Sequence, residues 1–167
     1  ELTKARLPWL VLALFGGFIS VKVLGIFEPM MESHRMLLFF TPLIAAMAGN
    51  VGVQSSAIVV QGLANNSITG SLWNRLLKEL SLSLLNGSIL AGILILGSHF
   101  LLGYEFIIGI TVSIALLSVI VIASLIGTFI PIVLDKYGVD PALATGPFIT
   151  TSNDIIGIII YFTIAKL

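Results

Sequence analysis

The chain has 167 residues, of which 57% are hydrophobic and 10% charged, against the roughly 25% charged content of soluble domains; with a mean hydropathy of +1.13, it is an integral membrane protein with no room for a separate soluble domain. A formal net charge of zero gives nucleic acid or another polyanion nothing to hold. The absence of cysteine excludes disulfides, thiolate metal sites and thiol catalysis.

In chain order, Glu1-Leu2-Thr3-Lys4-Ala5-Arg6 comes first. It has neither an initiator methionine nor the short core and cleavage site of a signal peptide, so the chain is expected to be a piece of something longer. Five apolar runs follow, over residues 7–27, 37–60, 82–102, 106–134 and 142–165. Each is long enough to cross a bilayer, and the fourth is long enough to tilt or to leave the membrane before Pro131. The runs are continuous rather than alternating, and a backbone in lipid must satisfy its own hydrogen bonds, so they are helices. The expected fold is therefore all-α with five transmembrane helices.

The long connection, Gly62 to Leu80, opens with the loop-forming Ala64-Asn65-Asn66-Ser67. It then places Leu72, Trp73, Leu76, Leu77 and Leu80 on one helical face, with Asn74, Arg75, Lys78 and Glu79 opposite. This pattern predicts an interfacial amphipathic helix between the second and third spans. Five spans put the termini on opposite sides. Lys4, Arg6, Arg75, Lys78 and Lys136 fall on the side of the N-terminus and Arg35 and Lys166 on the other, which predicts a cytoplasmic N-terminus and an external C-terminus. Lys22 lies near the outer end of the first span, where its stem can snorkel to the headgroups. His34 and His99, with Glu28, Glu32 and Glu105, are assigned to outer loops.

Asp154 stands inside the fifth run. An ionised carboxylate in hydrocarbon costs several kcal/mol and persists where it faces a partner, a cavity or an ion path. Thr150, Thr151, Ser152 and Asn153 add oxygen-bearing side chains within about one turn, and oxygen is the ligand of hard cations. Gly146, Thr150, Asp154, Gly157 and Tyr161 are spaced to share one helix face, which also suits a small-residue packing seam. On the second span, Pro42 removes a backbone donor and frees a carbonyl one turn earlier. The small residues that follow, Ala45-Ala46-Met47-Ala48-Gly49, leave backbone oxygens approachable. Asn50 and Gln54 add amide oxygens, as ligands or as interhelical glue. Asp140-Pro141 reads as a helix N-cap with proline in the first turn, and Gly146-Pro147 as an interruption of the kind that accompanies binding sites in transporters.

No nucleotide loop, Ser-His-Asp set or HExxH motif is present, and an intramembrane aspartyl protease would need two membrane carboxylates where only Asp154 qualifies, so no enzymatic activity is expected. One carboxylate is thin compensation for a divalent ion. A two-fold axis beside the fifth span would bring two copies of Asp154 together, and two carboxylates around a largely hydrated ion suit magnesium better than calcium.

Phe40-Thr41-Pro42-Leu43-Ile44 through Gly49-Asn50-Val51-Gly52-Val53-Gln54-Ser55, the stretch Asp140 to Pro147, and Asp154 with Tyr161-Phe162 together resemble the membrane domain of the MgtE magnesium channels, over nearly the whole chain. The resemblance implies a homodimer in a bacterial inner membrane, with a pore lined by the second and fifth spans. It further implies hydrated Mg2+ bound near Asp154, backbone carbonyls contributed at Ala46, Gly49 and Thr150, and Asp140 near the cytoplasmic end of the pore. Asn50 and Asn153 complete the candidate ligand set. The family's second-span motif is richer in glycine and carries a second amide, where this chain has Ala46, Ala48 and Val53. Its bacterial members also carry a cytosolic magnesium-sensing region with paired CBS domains before the first span, which these residues do not include. The expected activity is passive magnesium permeation; a proton- or sodium-coupled divalent-cation carrier and a non-transporting helical scaffold are the alternatives.

Overall fold

The computed structural model describes residues 2–68 and 70–166, apart from the side chains of Ala5, Leu143 and Ala144. The parts of the opening hexapeptide and of the Asp140 to Pro147 motif that rest on Glu1 and on those three side chains lie outside the described residues. Six helices are present among the described residues: α1 Leu2–Ile26, α2 Glu28–Ser33, α3 Arg35–Ala64, α4 Leu72–Phe100, α5 Phe106–Lys136 and α6 Pro141–Ala165. All but the six-residue α2 are long and apolar enough to cross a membrane.

The spans packed inside the molecule and those at its edge differ in composition. Helix α5 carries the densest set of buried residues, among them Val112, Ala115, Leu116, Val119, Ile120 and Ala123, and packs against α3, α4 and α6. Small residues on it let the neighbours approach closely, as is usual between membrane helices. A Cβ at Gly127 would run into the Gly52 carbonyl of α3, and Ser113 Oγ donates to the Ala91 carbonyl of α4 at 3.0 Å. Helix α1 packs mainly on α6, and leaves Leu10, Leu14, Phe15 and Phe18 exposed for lipid.

Several boundaries differ from the sequence expectations, each for a local reason. Residues 72–80 form no separate interfacial helix. Ser71 accepts the Asn74 N–H at 3.3 Å as N-cap, no helix breaker follows, and the amphipathic turns run directly into the third span. Pro147 lies within a continuous α6 rather than at an interruption. Pro131 is buried inside α5, which continues to Lys136. Segment 28–33, expected to be an outer loop, is a short helix with proline in its first turn. His34 is the residue between α2 and α3, but His99 belongs to the last turn of α4, where Nδ1 lies 2.9 Å from the Tyr104 carbonyl and the ring packs on Phe106.

Candidate functional site

Helices α3 and α6 run antiparallel along a buried seam whose register three contacts fix. Gly52 faces Ile149 and Asn153, Asn153 Nδ2 donates to the Ala48 carbonyl at 3.0 Å, and the Tyr161 hydroxyl donates to the Leu37 carbonyl at 2.6 Å. Ala48, Ile149 and Tyr161 are fully buried and Asn153 is 2% exposed. Gly157 also faces this seam, where a Cβ would stand at ordinary van der Waals distance, 3.8 Å, from the Ala48 methyl. This register puts Asp154 at the depth of Gly49.

The direction in which Asp154 faces follows from its neighbours. Asn153 points at α3, whereas Thr151 meets Gly16 of α1 and Phe148 packs on Trp9 with ring centroids 5.8 Å apart. At about 100° per residue, Asp154 and Thr150 fall in the arc of α6 between its contacts with α3 and with α1. Asp154 is half-buried there, and Thr150 and Gly146 are exposed. Thr150 Oγ1 donates to the Gly146 carbonyl at 3.0 Å, so its hydroxyl hydrogen is spent on its own helix and its oxygen lone pairs remain free.

The matching arc of α3 carries Pro42, Ala46, Gly49 and Val53. Ala46 is exposed and Gly49 half-buried, with no atom of a neighbouring residue within 4 Å of where a Gly49 Cβ would stand. The structure thus sets a row of small residues on α3 beside a carboxylate and a hydroxyl on α6, all opening away from the core of the chain. Among the described residues, no group of three or more His, Cys, Asp or Glu side chains is placed to hold a metal; the polar atoms that share the arc with Asp154 are backbone and hydroxyl oxygens.

Two of the expected ligands, Asn153 and Asn50, face away from this arc, and Asp140 stands at the start of α6. Asn153 is sealed in the seam, where its Nδ2 is engaged and its Oδ1 has no partner. Asn50 is exposed on the far side of the Ala46–Gly49 row and lines a groove between α3, α4 and α5. Asp140 caps α6, accepting the Ala142 N–H at 2.9 Å. At 1.5 Å per residue it stands about 20 Å along the helix from Asp154, too far for the two carboxylates to share one ion. Sequence reasoning missed Tyr161 and Ala48 as the ties that fix the site. Their pairing joins residues 124 and 105 positions apart, and nothing local announces it.

Comparison with known proteins agrees with this architecture. The MgtE family model, described as a divalent cation transporter, matches residues 41–164, which take in most of α3 and nearly all of α4 to α6. The magnesium transporter MgtE of Bacillus subtilis is 39% identical over 161 residues, 96% of this chain and 36% of the relative. The magnesium transporters MgtE of Enterococcus faecalis and Thermus thermophilus are 37% and 32% identical over 97% and 98% of the chain, again 36% of each relative. The chain therefore spans just over a third of the length of these relatives. With the motifs of α3 and α6 inside the matched region, this chain belongs to the MgtE family of divalent cation transporters.

Proposed function

We propose that the chain forms the pore of a homodimeric magnesium channel, in which a hydrated Mg2+ passes between the α3 and α6 arcs of two protomers. The observation that carries this reading is the placement of Asp154, half-buried in an arc of α6 that neither α1 nor α3 covers, at the depth of the small-residue row of α3. A carboxylate at the middle of a membrane-spanning helix is costly unless an ion path or a second charge meets it. Two copies related by a two-fold axis would supply two negative charges to one divalent ion. Magnesium sheds its waters reluctantly and takes one or two carboxylates, so the ion would keep its hydration shell, with the Thr150 oxygen and the carbonyls of Ala46 and Gly49 as outer ligands. The names of the relatives support magnesium as the transported ion. The distribution of basic residues supports an N-terminus on the cytoplasmic side, and the bacterial sources of the relatives support a bacterial membrane.

Flux in proteoliposomes tests the reading. Steady uptake of Mg2+ driven by membrane potential alone is the expected result. Uptake that requires an opposing proton or sodium gradient would make the protein a coupled carrier, and no uptake at all would make it a scaffold. Asp154→Asn keeps the shape and removes the charge; it should lower Mg2+ uptake by about tenfold or more, the scale seen when a supporting group is deleted from a metal site. An Asp154→Asn protein that bound and conducted Mg2+ like the parent would displace the site from this residue.

A further inference from the structure

Away from the Asp154 arc, α3, α4 and α5 border an open cleft of about 460 Å3. Its lining is unusual for a site between membrane spans. Asn50 and Gln54 from α3 and Asn86 from α4 reach it, as do the hydroxyls of Ser55, Ser83 and Ser124 and the carboxylate of Glu79. Ser83 and Ser124 spend their hydrogens on the Leu80 and Val121 carbonyls at 3.0 Å, so each presents oxygen lone pairs. Ser55, buried on α3, donates to Glu79 Oε1 at 2.5 Å and so holds the carboxylate across the gap between α3 and α4.

Polar groups at membrane depth require partners, in the protein, in water or in a ligand. A carboxylate with amide and hydroxyl oxygens and no sulfur or imidazole is a donor set for a hard cation. The volume is sufficient: an octahedral ion with six waters, at about 30 Å3 each, occupies about 180 Å3. We propose that this cleft is a second cation site, off the pore axis, that takes a hydrated divalent ion anchored by Glu79 and contacted through its waters by Asn50, Gln54 and Asn86. The positive charges nearby, Arg75 and Lys78, line an adjoining cavity of about 380 Å3 that shares Ser55, Ile58, Glu79 and Leu82. They stand on the side of Glu79 toward the α3–α4 loop, and the ion sits on the side toward Asn86.

The test uses Mn2+ as a paramagnetic probe on the protein in lipid nanodiscs, with Asp154→Asn as background so that loss of the pore site is read separately. Bound Mn2+ is counted by electron paramagnetic resonance against free ion. The Asp154→Asn protein should retain one further class of bound Mn2+ per chain, and adding Glu79→Gln should weaken that class by about tenfold or more. Glu79→Gln is isosteric and its amide oxygen still accepts from Ser55, so the helix packing should survive; an unchanged helical circular-dichroism spectrum and elution volume verify this. Asn86→Ala, which alters an exposed side chain toward the far end of the cleft, should weaken the same class by a smaller factor. The proposal falls if Asp154→Asn has no residual Mn2+, or if the folded double variant binds it as tightly as Asp154→Asn alone.

Discussion

The seam between α3, α5 and α6 is built of atoms that cannot be enlarged. Gly127 stands against the Gly52 carbonyl, and Gly52 against the Asn153 side chain, so a methyl group at Gly127 meets backbone rather than a flexible side-chain tip. Overpacking of this kind costs about 1–3 kcal/mol, and Gly127→Ala should lower the thermal unfolding midpoint in detergent by several degrees. Gly146→Ala, where no neighbouring atom lies within 4 Å of the new Cβ, should not lower it, and equal losses at the two positions would contradict the packing. The same residues mark what the sequence could disclose. Asp154 is legible because a lone charge in an apolar run is anomalous by itself. The opposite fates of Asn153 and Thr150 are not, since both are small polar residues within about one turn of it. Only the direction of α3, set by contacts more than 100 residues apart in the chain, sends one into the seam and leaves the other on the open arc.

Among the elements, the five spans could be read from hydropathy alone because the bilayer fixes their length. Their ends could not, because these depend on capping and on where a helix leaves the membrane. The turns from Leu72 to Leu80 show the difference. Their amphipathic pattern suits a helix at a surface, yet the same pattern serves the first turns of a longer helix, whose Trp73, Leu76 and Leu80 line an apolar groove with Phe129 of α5. Pro147 looked like a break, but α6 runs through it; as the seventh residue it lies past the first four donors, so it removes one i→i−4 hydrogen bond without ending the helix. The pairing of α6 with α3 rests on two side-chain bonds to backbone, and the Tyr161 hydroxyl on the Leu37 carbonyl is the shorter. Tyr161→Phe keeps the ring beside Phe162 and loses only this bond. It should cost about 0.5–1.5 kcal/mol, read as a lower unfolding midpoint, with Mg2+ affinity at Asp154 falling less than it does in Asp154→Asn. An undiminished midpoint would mean that the Tyr161 bond adds nothing to the pairing and that packing with the Asn153 bond holds the two helices.

At the scale of the whole molecule, the chain presents Asp154, Thr150, Gly49 and Ala46 on an outward arc instead of enclosing them. A pore built from that arc needs a second copy facing it, and a closed two-fold pair is the simplest arrangement that puts identical arcs together. The absence of native cysteine makes this directly measurable. Ala46 is exposed and near the axis in the proposed dimer, so in Ala46→Cys the two thiols should face each other within reach of a short bismaleimide and yield a covalent dimer in membranes. A cysteine in place of exposed Phe18 on α1, on the lipid side of the bundle, should not. Filling the same arc without changing its charge extends the argument from assembly to permeation. Gly49→Leu adds a branched side chain where no atom of a neighbouring residue stands within 4 Å of the Cβ; it should therefore fold and cross-link through Ala46→Cys as before while Mg2+ flux is blocked. Cross-linking at Phe18→Cys with none at Ala46→Cys would place the two-fold axis on the α1 side and remove α3 from the ion path.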